Sequence, residues 1–273
     1  MDNLSTGSRE NLEGLSGNLR IIEASCLDLP NLDENLNAIY HLGVPSSSPM
    51  YKSDPMLVGE AINGAIAVFE LAKKTRARVV YASTSSLYSG QKPPHREDME
   101  IQVTDYYTEA RFCMERIAKL YEKLFGVSSL GLRFFSVYGP KEGAKKQYAN
   151  MITQFLWNLK RGEVPVIYGD GTQTRDFIYV KDLVRALRLA MSSSYNGYLN
   201  VGTAKAYSFN DVIKVLNEEM GTCVQPEYVE NPIKNYVPHT LADTSKAEKV
   251  LGFRSQYTLK EGIRELIDYY GAK

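Results

Sequence analysis

The sequence contains few of the residues that most often bind metals. Only three of its 273 residues are cysteine and three are histidine. The cysteines are widely separated and have no metal-ligand spacing, which indicates structural residues in a reducing compartment: Cys26, Cys113 and Cys223. The histidines are equally scattered, so no metal site is expected: His41, His95 and His239. His41 ends an apolar run and is expected to be packed rather than catalytic.

Net charge and long apolar runs are also absent. The chain has 32 basic and 32 acidic residues, giving a formal charge of zero. Without a basic stripe, a nucleic-acid partner is not expected. The chain contains no run of about 18 apolar residues and no signal-peptide core, so we expect a cytoplasmic protein with no membrane partner. Its length is sufficient for a substantial core in one or two domains.

Hydrophobic patterning predicts alternating strands and helices. This alternation is typical of an α/β fold with a parallel, doubly wound sheet. After Pro140 the pattern becomes irregular, as expected for a smaller C-terminal α/β lobe. Strands are predicted at residues 19–23, 38–42, 78–82, 129–134, 166–168 and 198–201. Helices are predicted at residues 54–74, 105–125, 147–160, 180–191, 210–219, 244–251 and 259–270.

Two of the predicted helices have distinct starting signals. Ser208 supplies an N-cap for the helix at 210–219, and Gly221 is placed to end it. Thr258 and Glu261 have the spacing of a capping box. These features predict architecture and have no bearing on function.

Tyr107 and Arg111 are four residues apart in a predicted helix, which places them on one face. A free phenol ionises near pH ~10, and a neighbouring positive charge favours the phenolate. The pair could therefore supply a proton-transfer group at neutral pH. The alternative is an ordinary exposed pair on a helix surface.

Hydroxyl residues follow the strand predicted at 78–82. Its apolar run leads into four such residues: Ser83, Thr84, Ser85 and Ser86. This pattern predicts a buried parallel strand whose C-terminal end opens into a polar site. Open α/β sheets bind ligands at that end. Residues 130–140 form a second apolar segment that ends in small polar and turn residues.

Together these segments resemble the extended short-chain dehydrogenase/reductase family, and within it the NAD-dependent nucleotide-sugar epimerases and dehydratases. The resemblance covers nearly the whole chain. It implies NAD as cofactor, a nucleotide-diphosphate sugar as substrate, epimerisation at C4 of a UDP-hexose as the reaction, and a homodimer. Its segments follow the family's order: residues 2–7, 40–43, the positions Thr84, Tyr107 and Arg111, residues 168–180 and residues 242–247.

The resemblance also implies roles for individual residues. The implied catalytic residues are Thr84, Tyr107 and Arg111. The implied cofactor-binding residues are Asp2, Asn3, Ser25, Leu42, Gly43, Ser83, Tyr107, Arg111 and Ser136. The implied substrate-binding residues are Ser85, Ser86, Tyr168 and Arg175. Residues 1–140 would form the NAD-binding domain, with residues 177–202 returning to it, and residues 141–273 would mainly form the substrate lobe.

Several of these assignments have alternatives. Arg175 offers a planar fork of donors to a diphosphate, or it has a structural role with its neighbour Asp176. Tyr168 either stacks on the nucleotide base or belongs to the core. The loop at residues 43–50 either lies beneath the cofactor or is a simple connector. At Gly43 a minimal side chain would let the backbone approach a ligand closely.

The chain departs from the family at catalytic and substrate positions. Arg111 stands where lysine is usual; it keeps the charge and can bind the nicotinamide ribose, but it is planar and effectively never neutral. Family dehydratases carry Asp-Glu where this chain has Ser85 and Ser86, so dehydration is disfavoured. Ser136 replaces a usual asparagine, and Ile233 falls near where many relatives carry a second arginine. The identities of the sugar and the base therefore stay open.

A glycine-rich turn is the largest absence. The family's ribose-binding acid follows that turn by about 20 residues, yet here the acid is Asp2. The pyrophosphate cradle therefore has no candidate. We expect the natural start to lie roughly 30 residues upstream. In the chain as given we expect unpaired strand edges. We also expect the chain to bind NAD weakly, and an upstream extension to restore binding. The alternatives are an element that fills the gap, a nucleotide-sugar-binding pseudoenzyme, or a reductase, decarboxylase or other branch.

Overall fold

A computed structural model describes residues 1–31, 35–233 and 236–272 of the chain. Its strands are β1 (Ala38–His41), β2 (Arg78–Thr84), β3 (Ser129–Phe134), β4 (Ser136–Tyr138), β5 (Val166–Tyr168), β6 (Thr174–Arg175), β7 (Phe177–Tyr179), β8 (Gly197–Val201), β9 (Tyr207–Ser208) and β10 (Glu227–Val229). Its α-helices are α1 (Ser48–Ser53), α2 (Leu57–Thr75), α3 (Tyr106–Phe125), α4 (Met151–Lys160), α5 (Val180–Ser192), α6 (Phe209–Met220), α7 (Ser245–Leu251) and α8 (Leu259–Tyr270).

The main sheet is parallel and has the strand order β1-β2-β3-β8. Side chains along β2 alternate between its two faces, as the period of a strand requires. Val79 and Tyr81 belong to a cluster with residues of α2 and α3, whereas Val80 packs with residues of α5 on the other face. Helices therefore cover both faces, as predicted for an α/β fold with a parallel, doubly wound sheet. Burying each large apolar side chain contributes roughly 1.5–3 kcal/mol.

Tight packing inside the sheet explains a glycine in β3. A Cβ built on Gly131 would lie 2.5 Å from the Tyr81 ring. The Tyr81 side chain is completely buried and cannot move aside without disturbing the cluster under α2 and α3. Glycine at this position thus allows a large aromatic side chain to pack directly against the neighbouring strand.

The strand predicted at residues 19–23 is not formed. Asp2 and Glu23 instead make an isolated parallel bridge. On the side of β1 away from β2, no strand pairs with it in the part of the chain that the structure describes. Tyr40 and Leu42 are exposed at this edge. An apolar segment becomes a strand only where a neighbour satisfies its backbone groups, and residues 19–23 have only the short segment at Asp2.

Two predicted helices differ in extent from the structure. The helix predicted at 54–74 is α2, which begins later, at Leu57, and the short helix α1 before it was not predicted. Pro55 disfavours helical geometry at Asp54, whose φ is −141°. The helix predicted to begin at residue 147 begins as α4 at Met151, capped by the Asn150 side chain. Residues Gly143–Tyr148 before it form a 3-10 turn. Local breakers and caps thus decide these boundaries.

A second core lies among α4, α6, α8 and β7. It is formed by buried aliphatic and aromatic side chains that include Phe155, Ile213 and Ile263.

The predicted capping signals are confirmed: Ser208 and Asp211 form a capping box at α6, and Thr258 and Glu261 form one at α8. β5 pairs with β10, β4 with β7 and β6 with β9.

The β8 strand and α5 pack with the main sheet, although both follow α4 in the sequence. The domain boundary near residue 140 stays a prediction. In the described ranges, no helix combines the length and the apolar character that are needed to cross a membrane.

Candidate active site

The helix that carries Tyr107 and Arg111 has a firmly fixed beginning. The Asp105 side chain accepts a hydrogen bond from the Thr108 backbone N–H at 2.8 Å, and the Thr108 hydroxyl accepts one from the Asp105 N–H at 3.1 Å. The Ser48 hydroxyl donates a 2.5 Å bond to the other carboxylate oxygen of Asp105. Thus α1 and the start of α3 are held together through Asp105.

Arg111 reaches from α3 to the C-terminal ends of two neighbouring strands. Its Nη1 donates to the carbonyl oxygen of Ala82 in β2, and its Nη2 donates to that of Pro45 in the loop after β1, both at 2.9 Å. The side chain is almost completely buried. Arg111 therefore joins the loop after β1, the end of β2 and α3, so the ordinary exposed pair considered above is wrong.

The Tyr107 ring is close to a cation and to another aromatic ring. The guanidinium carbon of Arg111 is 5.2 Å from its centroid, and the Tyr51 ring centroid is 5.5 Å away. The Tyr107 side chain is buried, with 8% exposed. The adjacent cation and the neighbouring ring restrict where the phenol can point. Such a site can accept or donate a proton at one defined position.

The hydroxyl residues lie at the predicted end of β2. Thr84 is buried, and its Oγ1 accepts the Ser86 backbone N–H at 3.1 Å, which begins the turn Ser85–Tyr88. Ser85 and Ser86 are partly exposed. Ser83 is buried and donates a 2.6 Å hydrogen bond to Glu115 in α3. The structure therefore brings Ser83 and Thr84 to the strand end on which Arg111 is anchored.

Four buried polar atoms of β1, the loop after it, α1 and α3 have no hydrogen-bond partner among the described residues. They are His41 Nε2, Ser47 Oγ, Tyr51 Oη and Arg111 Nε. Burial lowers the pKa of His41 to about 4, and the charge of Arg111 acts in the same direction. Burial raises the pKa of Tyr51 to about 12. His41 is therefore neutral at physiological pH and is packed, as expected from the sequence.

The other residues expected to bind the cofactor lie in three parts of the chain. The turn residues Asp2, Asn3 and Ser25 are bonded locally: their side-chain oxygens accept backbone N–H bonds from Leu4, Ser5 and Leu27 at 2.7, 3.1 and 3.2 Å. Leu42 and Gly43 are exposed after β1. The Ser136 hydroxyl, in β4, accepts a 3.0 Å bond from the Asn150 side chain.

These residues fit the nicotinamide half of NAD. A Cβ at Gly43 would have no protein atom within 4 Å, so the backbone there is open to a ligand. Arg111 keeps its Nε–H as a free donor among the described residues. Gly43, Tyr107 and Arg111 would hold the nicotinamide end, and Asp2 the adenosine ribose. No glycine-rich run occurs in the sequence, so no residue is assigned to the pyrophosphate.

Two of the predicted substrate residues lie outside the main sheet, Tyr168 in β5 and Arg175 in β6. Arg175 Nη1 donates to the carbonyl oxygens of Thr174 and Pro238 at 2.8 and 3.1 Å. Its guanidinium carbon lies 5.2 Å from the Tyr236 ring centroid. Tyr168 is exposed, so the core alternative is wrong for this side chain.

The proposed structural pairing of Arg175 with Asp176 is not formed. The buried Asp176 carboxylate instead accepts backbone N–H bonds from Thr203, Ala204 and Ala242, at 2.8, 3.1 and 3.1 Å. It thereby joins the loop after β8 to the 242–247 segment. Within the described ranges, no group of three or more His, Cys, Asp or Glu side chains could hold a metal ion.

Sequence reasoning missed three residues that shape the site: Ser48, Tyr51 and Asp105. The pattern Asp-Tyr-Tyr-Thr at residues 105–108 contains a capping signal that could have identified Asp105. No signal identifies Tyr51, because its contact with Tyr107 joins residues that are distant in the sequence.

Comparison with known proteins finds relatives that match nearly the whole chain. The chain is 29% identical over 278 residues to a putative UDP-glucose 4-epimerase of Methanocaldococcus jannaschii, covering 98% of this chain and 88% of the relative. It is 29% identical to the UDP-glucuronic acid decarboxylase 3 of Arabidopsis thaliana, covering 96% and 78%. The two names describe different reactions.

Among solved structures, the UDP-N-acetylglucosamine 4-epimerase from Methanobrevibacter ruminantium, in complex with UDP-N-acetylmuramic acid, is similar with a TM-score of 0.94. The sequences are 28% identical, and the match covers 99% of this chain and 89% of the other. The profile described as the NAD dependent epimerase/dehydratase family matches residues 1–202, about three quarters of the chain. The protein therefore belongs to the NAD-dependent epimerase/dehydratase family, whose cofactor is NAD.

Proposed function

We propose that the protein interconverts nucleotide-diphosphate sugars that differ in configuration at C4, with a UDP-hexose as substrate. The observation that carries the proposal is the position of Arg111 over the Tyr107 ring while its Nη1 is anchored on Ala82, two residues before Thr84. A phenol and a hydroxyl at the carboxyl end of a parallel sheet are suited to act on a sugar hydroxyl.

Each residue has a defined part in the proposed reaction. Tyr107 takes the proton of the sugar 4-hydroxyl and later returns it, while Thr84 hydrogen-bonds the same oxygen. Arg111 keeps a positive charge beside the phenol and holds the loop after β1 in place. Ser85 and Ser86 hydrogen-bond the sugar. NAD, when bound, would supply the reversible hydride transfer at C4 of the sugar.

Arg175 is the proposed ligand of the diphosphate. Of its donors, Nη1 is occupied by two carbonyl groups. The guanidinium is nevertheless planar and has five N–H donors in total, which leaves donors for phosphate oxygens. The exposed Tyr168 ring can stack on a base.

Decarboxylation is the second candidate, because a curated relative is named as a UDP-glucuronic acid decarboxylase. It would convert a UDP-hexuronate to a UDP-pentose and CO₂. The site favours epimerisation because the turn after Thr84 has two serines and no carboxylate.

The test is to incubate the protein and NAD separately with UDP-glucose, UDP-galactose, UDP-N-acetylglucosamine and UDP-glucuronate. Products are separated by anion-exchange chromatography and identified by NMR, and CO₂ is measured in parallel. Formation of a C4 epimer supports the proposal. CO₂ release with a UDP-pentose supports the decarboxylase, and no product from any sugar rejects both.

We also propose a two-fold homodimer formed through α2 and α3, the commonest symmetric arrangement. The sequence offers seven apolar positions on these two helices for the interface: Ile62, Ile66, Phe69, Met114, Ile117, Leu120 and Tyr121. In the structure Ile66 and Leu120 are exposed, and Ile62, Ile117 and Tyr121 are partly exposed. Phe69 and Met114 are buried in the cluster under the sheet and cannot contribute. Leu124 and Phe125 are additional exposed apolar residues on α3.

A further inference from the structure

A buried polar network begins one helical turn after Arg111. Arg133 of β3 binds the Glu115 carboxylate of α3 with two hydrogen bonds, Nε to Oε1 at 2.8 Å and Nη2 to Oε2 at 2.7 Å. The Ser83 hydroxyl donates to the same Oε1 at 2.6 Å. The charged side chains are only 1% and 3% exposed. The network thus joins α3 to the residue before Thr84.

The network continues into the turn Ser85–Tyr88. Arg133 Nη1 donates to the Tyr88 hydroxyl at 2.7 Å, and this hydroxyl donates to Asn200 Oδ1 at 2.7 Å. Asn200 Nδ2 donates to the carbonyl oxygens of His95 and Asp243, at 2.9 and 3.2 Å. The Tyr88 hydroxyl therefore links the ion pair under the sheet to the 242–247 segment.

The energetics favour a positioning role for this network. Burying two charges costs desolvation energy that the pairing roughly repays, so a buried ion pair is a weak source of stability. A fully satisfied buried network does, however, fix the relative positions of the elements it joins. Here those elements carry Thr84, Ser85 and Ser86 on one side and Tyr107 and Arg111 on the other.

We propose that Tyr88 is a positioning residue whose hydroxyl, held between Arg133 and Asn200, sets the place of the turn Ser85–Tyr88 relative to α3. The inference rests on the proposed function, since it assigns Ser85 and Ser86 to sugar binding. Tyr88 itself is completely buried and acts through the turn that it ends. Small displacements of positioned groups can lower a rate by up to about 100-fold.

Tyr88→Phe tests the proposal with little change of packing. The ring that stacks on His95, with centroids 5.1 Å apart, is kept and only the hydroxyl is lost. Tyr198→Phe is the matched control. Its ring faces the same guanidinium, with Arg133 Cζ 4.1 Å from the centroid, but the described residues form no hydrogen bond with its hydroxyl.

Two measurements on the full chain are needed. In wild-type protein without ligands, amide hydrogen exchange reports on the turn through the Ser86 and Ser89 N–H groups, which are bonded to Thr84 Oγ1 and Ser86 O. We expect Tyr88→Phe to accelerate exchange at residues 84–89 selectively and to lower kcat for sugar interconversion about tenfold. Tyr198→Phe should match the wild type in both.

Unchanged exchange at residues 84–89 in Tyr88→Phe would overturn the proposal, as would a uniform increase across the chain, which indicates general destabilisation. If Tyr88→Phe does not fold, Ser83→Ala provides the second variant, because it releases only the Glu115 end of the network. It should accelerate exchange at Thr84 and its neighbours, and no change there also overturns the proposal. A wild type that converts no sugar rejects the proposed function, whereas the exchange comparison still decides the role of Tyr88.

Discussion

Arg111 Nη1 donates a 2.9 Å hydrogen bond to the carbonyl oxygen of Ala82, which connects α3 to the end of β2. The same guanidinium also binds Pro45 and lies over the Tyr107 ring. One side chain thus supplies charge and backbone support. A lysine, with a single nitrogen at its tip, would have to share that nitrogen between the two carbonyl groups.

Variants of Arg111 separate these two contributions. We expect Arg111→Lys to retain activity within about tenfold, because the charge and at least one carbonyl bond are kept. Arg111→Met should lose at least ~100-fold in activity and about 1–3 kcal/mol in the free energy of unfolding, because two buried carbonyl groups lose their donor. Steady-state kinetics and urea titration measure the two effects. A methionine variant with wild-type activity would contradict this role.

Tyr107→Phe tests the proton-transfer assignment. Removal of the phenol should lower sugar interconversion by at least ~100-fold, the usual scale for a general acid or base, with little change in stability because the ring is kept. Tyr106→Phe is the control, because Tyr106 is the adjacent residue and its side chain is exposed. Full activity in Tyr107→Phe would place the chemistry elsewhere.

His41 should make the folded state sensitive to acid. Burial lowers its pKa from 6.5 to about 4, so the unfolded chain binds a proton that the folded chain excludes between these values. Stability is therefore fully present above about pH 6.5 and falls as the pH decreases. The His41 contribution lost between about pH 6.5 and about pH 5 should be about 2 kcal/mol.

Urea unfolding of the wild type and of His41→Gln over this pH interval measures that contribution. His95, whose pKa is also lowered by burial, remains in both proteins and cancels in the comparison. We expect a shallower loss of stability with falling pH in His41→Gln. Parallel curves for the two proteins would show that His41 does not titrate as described.

The proposed dimer predicts a mass of twice 30.7 kDa in light scattering at micromolar concentration. Leu120→Glu should convert the dimer to a monomer, because it places a charge in an apolar interface. Val184→Glu, a similarly exposed apolar position on α5, should leave the dimer intact. A monomeric wild type, or equal dissociation by both substitutions, would refute this interface.

Local sequence determined much of the fold. The apolar run of β2, the capping boxes at Ser208 and Thr258, and the helical spacing around Tyr107 each depend on neighbours within a few residues, so the pattern specified the element. The position of Arg111 one turn after Tyr107 followed from helix geometry. The hydroxyl residues at the end of β2 followed from the apolar run that precedes them. Resemblance to relatives then indicated the family.

Only the tertiary structure decided which partners those residues have. The Arg111 bonds to Ala82 and Pro45, the contact of Tyr51 with Tyr107, and the network through Tyr88 all join residues far apart in the sequence. No local period encodes such contacts, because they depend on how layers pack. Residues 19–23 also show that local sequence does not suffice. Their composition suits a strand, but a strand exists only where another backbone pairs with it.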